Sequence, residues 1–332
     1  RLIRRQRQMC IRDREEDLER TEDQGALSGA DPAVLSERAI KRGRPQMGTL
    51  GSGNHFLEVD VVTEVYDERV AEAFGVALGG IVLQIHCGSR GFGHQVCTDF
   101  LKVMQQATRR YGIQVRDRQL ACAPLGSPEA ERYLAGMACA ANYAWANRQT
   151  ILSLVERALE DVFDADRQAL GLRQVYDVCH NIAKFEEHKV GGLPRRLCVH
   201  RKGATRALPA GHPATPLPYR DVGQPVLIPG DMGTASYLLV GAPGAMQRTW
   251  GSTCHGAGRV MSRKGAVKRA AGRSIKRELA DGGVTVRYTG RLTLAEEMPE
   301  AYKDVNAVVE VMHQAGITRK VARMKPLGVV KG

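Results

Sequence analysis

Phe, Tyr and Trp make up only 5% of the 332 residues, so the core must be packed from Val, Leu, Ile and Ala. No apolar run reaches the roughly 18 residues of a membrane-spanning helix. The first residues, Arg1-Leu2-Ile3-Arg4-Arg5, carry neither an apolar stretch nor a cleavage signal, so they are not expected to form a secretory peptide. Eight cysteines (10, 87, 97, 122, 139, 179, 198 and 254) are too few and too scattered for a disulfide scaffold, and no CxxC pair occurs. A reducing, cytoplasmic compartment is the expectation.

What is present is a globular balance, 43% hydrophobic and 25% charged. Lys and Arg total 48 against 36 Asp and Glu, a net charge of +12. Such a surface attracts polyanions at modest salt, although many basic proteins bind no nucleic acid.

Residues 1 to 24 are dense in opposite charges at helical spacing, which predicts an exposed helix. Asp31-Pro32 reads as a capped helix start. Phe56 to Val62 alternates like a strand, and Gly80 to His86 reads as a buried strand running into a turn. The Ala-rich stretch 128 to 170 predicts two helices. A short strand is expected at Leu197–Val199, a Pro/Gly-rich connector from Pro209 to Pro218, and short strands at Val226–Ile228 and Tyr237–Val240. The cations of 258 to 280 predict a basic helix. Strands and helices mix without a βαβ rhythm, so the expected class is a single large α/β (α+β) domain, with central β-sheets flanked by helices.

Four of the nine histidines stand beside small or turn-forming residues at expected strand ends: His55, His86, His180 and His255. A lone histidine is more often a satisfied core or surface residue. Four in such turns point to a shared site, because imidazole ligates transition metals and titrates near neutrality, and loops at strand ends converge in space. The glycine-rich segments 51–54, 88–93 and 256–259 are neither a Walker A loop nor a dinucleotide fingerprint; in isolation they are turns.

Taken together, GTLGSGNHFLEV (48–59), HCGSRGFGHQ (86–95), HNIAKFEEH (180–188), HRKGATRA (200–207), PGDMGTASY (229–237), STCHGAGR (252–259) and KVARMKPLGVVKG (320–332) closely resemble the RtcB-type 3′-phosphate RNA ligases, in family order. The resemblance implies a GTP- and Mn²⁺-dependent ligase of tRNA splicing or RNA repair. Such an enzyme joins a 3′-phosphate or 2′,3′-cyclic phosphate RNA end to a 5′-hydroxyl. By position His255 matches the family's nucleophile, which takes GMP from GTP; an unprotonated imidazole nitrogen is competent for that attack. His55, His86 and His180 match metal-binding histidines. Nucleotide contacts carry over to Asn54, His55, Phe56, Leu57, Glu58, His180, Asn181, Pro229, Gly230, Asp231, Met232, Ser236, His255, Gly256, Ala257, Gly258 and Lys331. Cys87 is not expected to be a ligand, since neighbours along a strand point to opposite faces. Arg259, Arg263, Lys264, Lys268 and Arg269 are expected to meet the RNA backbone.

The family also has an upstream DxxCG-type turn whose Cys bridges two metals, and no DxxCG occurs here. With no Met at position 1, the resemblance implies an RtcB-type domain over 1–332 that lacks its N-terminal part. The alternatives are a catalytically impaired RNA-binding member, or a phosphatase or nuclease built on the same histidines.

Overall fold

The computed structural model describes residues 15–332; the charge-dense expectation for residues 1–14 lies outside them. From there a short helix spans Glu15–Glu19. Ten strands follow: β1 (Phe56–Val65), β2 (Ile81–His86), β3 (Asn181–Val190), β4 (Leu193–Lys202), β5 (Ala204–Arg206), β6 (Pro225–Ile228), β7 (Ser236–Gly241), β8 (Ser252–Cys254), β9 (Thr285–Tyr288) and β10 (Thr318–Lys331). The class is mixed α/β, as expected. The chain resolves into two compact units: residues 15–24, Leu50–His86 and Leu172–Gly332 in the first, Gly25–Thr49 and Cys87–Gly171 in the second.

The first unit is built on a six-stranded sheet ordered β2-β1-β10-β7-β6, with β9 also pairing β10. All pairings are antiparallel except β9 with β10. The long β10 is its spine. Its first half pairs β7, and its second half pairs β1 and β9. β7 is buried along its whole length. Leu238 and Val240 enter one hydrophobic cluster with Val62, Phe74 and Met324, whereas Tyr237 and Leu239 enter another with Ile228 and Val309. Successive side chains on a strand leave by opposite faces, so apolar residues at every β7 position give the sheet a core on each side. A third cluster, around Met232, Ile275, Leu279, Val286 and Met298, packs beside Val329.

Two small sheets complete this unit: the hairpin β3–β4 and the pair β5–β8. Gly191 and Gly192 both have positive φ (58° and 82°) at the hairpin tip, as a two-residue turn matched to strand twist requires. The strand expected at Leu197–Val199 is therefore ten residues long, Leu193–Lys202. Pro194 is tolerated because a two-stranded hairpin leaves its outer edge without ladder demands. A buried ionic cluster ties the first residues down: Lys184 Nζ lies 2.7 Å from Glu22 and 2.5 Å from Asp23, and Arg206 lies 3.4 Å from Glu22. Burial opposes ionisation of Glu22, but these cations hold its pKa down at about 2.

The second unit is helical. Helices Glu37–Gly43, Arg90–Arg110 and Pro128–Phe163 pack around Ala39, Phe92, Val96 and Phe100. The two helices expected over 128–170 are one helix of 36 residues. Ser127 caps it, Pro128 opens it, and Asp164 ends it at φ 50°. Gly136 is not a break: a Cβ there would lie 2.8 Å from the Phe100 ring, so it is where a neighbouring helix comes close. Asp31 does cap a turn, but only the 3-10 turn Pro32–Val34; the α-helix begins at Glu37 behind Ser36.

The basic helix expected over 258–280 is two short ones, Arg263–Arg269 and Ile275–Asp281, preceded by an irregular segment. Gly258 and Gly272 both have positive φ, which a continuous helix cannot accommodate.

Candidate functional site

All four singled-out histidines lie at strand termini. His55 precedes β1, His86 ends β2, His180 precedes β3 and His255 follows β8. The register gathers them. Phe56 pairs with His86, so the start of β1 lies beside the end of β2. Asn181 pairs with Lys202, and Ala204 with Cys254, which sets His180 and His255 on either side of Gly203. A Cβ on Gly203 would lie 3.6 Å from His255 Nε2, an ordinary contact distance, so the ring rests beside the Gly203 backbone. The rings form a chain of edge-to-face contacts: His55–His86 at 5.8 Å, His86–His180 at 5.2 Å and His180–His255 at 4.5 Å between centroids.

The ring nitrogens are oriented by their partners. His55 Nδ1 meets Leu50 O at 3.1 Å, which puts its proton on Nδ1. Asn181 Oδ1 accepts from Gly203 N–H, so its Nδ2 donates to His180 Nδ1 at 3.0 Å. His180 Nε2 lies 3.1 Å from His86 Nε2. Burial, then the neighbouring imidazoles His180 and His55, hold the His86 pKa well below the usual histidine value. Burial and Lys202 lower that of His255. Both rings are neutral near pH 7.

A metal ion was expected at His55, His86 and His180. Two nitrogens on one tetrahedral ion at about 2.0–2.1 Å lie about 3.3 Å apart, close to the His86–His180 separation. These two imidazoles therefore fit a shared ion. Among the described residues no group of three or more His, Cys, Asp or Glu is placed to hold one. Cys87 belongs to the second unit, where its Sγ meets Asn147 Nδ2 at 3.2 Å.

Beside the histidines opens a cavity of about 280 Å³. Its walls include Asn54, Phe56, Glu58, Pro229–Met232, His255–Gly258 and Lys331, all expected nucleotide contacts. The two glycine-rich loops are stitched together by Ala257 N–H donating to Pro229 O at 3.1 Å. Lys331 is buried, its Nζ donating to Gly53 O at 3.2 Å and standing 5.7 Å from the Phe56 ring centroid. Burial lowers its pKa to about 8. Burial, with Asp60 adding to it, raises the pKa of Glu58 well above the carboxylate range, and burial takes Asp60 up to about 6.

Other expected contacts lie off this wall. Leu57 leaves the opposite face of β1 from Phe56 and Glu58, by strand alternation. Ser236 is buried with its Oγ accepting from Gly230 N–H, so it shapes the loop. Asp231 does line the cavity, but both its carboxylate oxygens are spent on its own turn, accepting from Gly233 N–H, Thr234 N–H and the Thr234 hydroxyl. His55, His180 and Asn181 stand with the histidine chain instead.

Sequence reasoning missed the far wall. Arg259, Arg263, Glu297 and Tyr302 line the cavity. Glu297, 1% exposed, is met by Arg259 Nη1 at 3.0 Å, by Arg263 Nε at 3.4 Å and by the Tyr302 hydroxyl. Arg259 also donates to Glu296 O and Met261 O. Two of the five cations assigned to an RNA-facing helix are thus turned to a buried carboxylate. The pairing spans 38 residues and leaves no periodic trace in sequence.

The fold and cavity define a mixed α/β protein with a histidine-flanked, glycine-walled cleft. Residues 4–332 match the family described as tRNA-splicing ligase RtcB, and the chain belongs to that family. It is 58% identical over 318 residues to the tRNA-splicing ligase RtcB of Archaeoglobus fulgidus, covering 96% of this chain and 66% of that protein. It is 55% identical over 318 residues to that of Pyrococcus abyssi (96% and 35%) and 53% identical over 318 residues to that of Thermococcus kodakarensis (96% and 66%). The chain therefore spans less than two thirds of these relatives' length. No helix among the described residues is long and apolar enough to cross a membrane.

Proposed function

We propose that this chain carries the guanylylation site of an RNA ligase that uses GTP to join a 3′-phosphate or 2′,3′-cyclic phosphate RNA end to a 5′-hydroxyl. The observation that carries the reading is His255. It is a ring held neutral by burial and by Lys202, and it lines a cavity walled by two glycine-rich loops and a buried lysine.

The residues divide the work. The His255 lone pair attacks the α-phosphorus of GTP, the bond to the β-phosphate breaks, and pyrophosphate leaves. Lys202 disfavours a proton on His255 and so keeps the nucleophile available. The glycine-rich loops Pro229–Met232 and His255–Gly258 wall the cavity in which the phosphates would lie. Lys331, cationic below about pH 8, supports the nucleotide from β10. A cyclic end is first opened by water, its bond to the 2′-oxygen breaking to leave a 3′-phosphate; GMP then passes from His255 to the 3′-phosphate, and the 5′-hydroxyl attacks that phosphorus and releases GMP. His86 and His180 would hold Mn²⁺, with His55 beside them; the ion supplies charge neutralisation to the phosphates.

RNA as the substrate class agrees with the net charge and with the relatives' printed name. The test is end joining. An RNA with a 3′-phosphate and a second with a 5′-hydroxyl, incubated with GTP and Mn²⁺, should yield a longer product that ATP does not support. Equal joining with ATP, or phosphate release without joining, would reject the reading.

A further inference from the structure

The outward face of the β3–β4 hairpin is not used by the site described above. Its inward face is committed: Arg201 forks onto Glu186 at 2.7 and 2.8 Å, and Lys184 joins Glu22. The outward face carries Phe185, 44% exposed. The Arg196 guanidinium stands 5.0 Å from its ring centroid. Along β4 the same face presents Arg196, Cys198, His200 and Lys202, with Arg196, His200 and Lys202 exposed. The row ends at the site, since Lys202 pairs with Asn181 and acts electrostatically on His255. Glu187 is the one acid on this face, and Lys189 lies two residues beyond it.

We propose that this face seats the single-stranded RNA that leads into the site, with one nucleobase stacked on Phe185 and its backbone following Arg196 towards Lys202. The six steps along the strand from Arg196 to Lys202 span roughly 20 Å at about 3.3 Å each, so the track serves nucleotides back from the reacting end. A lone exposed aromatic flanked by cations is the chemistry that holds single strands without reading sequence. An apolar protein partner would need a contiguous greasy patch, whereas this face offers one ring among charges. Charge complementarity and continuity with His255 therefore favour RNA. The inference rests on the RNA reading above.

The test uses labelled single-stranded RNA with a 3′-phosphate and a fluorescent base analogue placed a few nucleotides from that end. Phe185→Ala should weaken binding by roughly 5- to 150-fold, the range for removing one stacked base, and abolish quenching of the analogue. Phe185→Trp should retain both, and Arg196→Glu should weaken binding and flatten its salt dependence. Phe185 is exposed, so a matching thermal melt checks that the fold survives, and GMP attachment to His255 should persist in all three variants. Should Phe185→Ala bind RNA as tightly as the parent, with quenching intact and His255 still taking GMP, this inference is overturned and the function stands. If the parent protein neither binds the RNA nor accepts GMP, both readings fall together.

Discussion

His86 and His180 present their Nε2 atoms to each other across 3.1 Å. Two bare lone pairs would repel at that spacing, so something positive lies between them: a proton or an ion. Asn181, its amide oriented by Gly203, donates to His180 Nδ1. The proton of His180 therefore sits on Nε2 and points at His86. A divalent ion taken up by this pair would need that lone pair, so His180 would carry its proton on Nδ1 instead and the Asn181 amide would have to turn to accept it.

That relationship has a stability consequence. The folded His86 pKa lies well below 6.5, so in the window between that value and 6.5 the unfolded chain binds more protons. Stability contributed by neutral His86 is full above 6.5 and is lost as pH falls through the folded value. Buried Asp60, whose pKa is raised, contributes a slope of the opposite sign, so the informative quantity is a difference. Urea unfolding of the parent and of His86→Asn should diverge between about pH 7 and pH 5, the parent losing more on acidification. Parallel curves would contradict the assignment.

Lys331 has a folded pKa of about 8 against 10.5 for a free lysine. Below about 8 it is charged, and above it the cation is lost. Nucleotide affinity should fall as pH rises through 8, and Lys331→Met should show weaker binding without that fall. Because the unfolded chain binds more protons between 8 and 10.5, fold stability should rise in the same window. Calorimetric titration of GTP across pH measures the first effect; pH-independent binding by the parent would count against Lys331 as a nucleotide contact.

Glu297 is buried with Arg259, Arg263 and Tyr302 turned on it. Removing the carboxylate leaves a half-buried Arg259 uncompensated, at a cost of about 2–4 kcal/mol. Glu297→Ala should lower unfolding stability by that amount, and the double variant Glu297→Ala with Arg259→Met should recover part of it. Denaturant unfolding of the three proteins checks this, and strict additivity would deny the coupling.

Much of the site was legible because its signals are local. A histidine next to Gly or Asn after an alternating run marks a strand end, and all four such histidines meet in the fold. The strands β1, β6 and β7 follow directly from their apolar patterns. The misses were non-local. The Ala-rich stretch 128–170 was expected as two helices, but Gly136, whose missing Cβ makes room for the Phe100 ring, leaves one helix continuous. The strand expected at Leu197–Val199 runs on through Pro194, because a hairpin edge makes no demand on its missing N–H. The cations around Arg259 resembled one helix face, yet their partner Glu297 lies 38 residues away, a distance that no periodicity encodes. Leu57 and Ser236 came in with the motif around them, although alternation on β1 and the Gly230 hydrogen bond turn each to other work.

The central claim is that His255 takes up GMP. The most direct measurement is incubation of the protein with Mn²⁺ and GTP labelled at the α-phosphate, followed by denaturation and mapping of the label. His255 is reached by solvent through the cavity and packs over bare backbone at Gly203, so His255→Ala should melt within about 1 kcal/mol of the parent. The account predicts label on the peptide containing His255, none from GTP labelled at the γ-phosphate, and none on folded His255→Ala. Label retained by His255→Ala, or mapped to another residue, would contradict it.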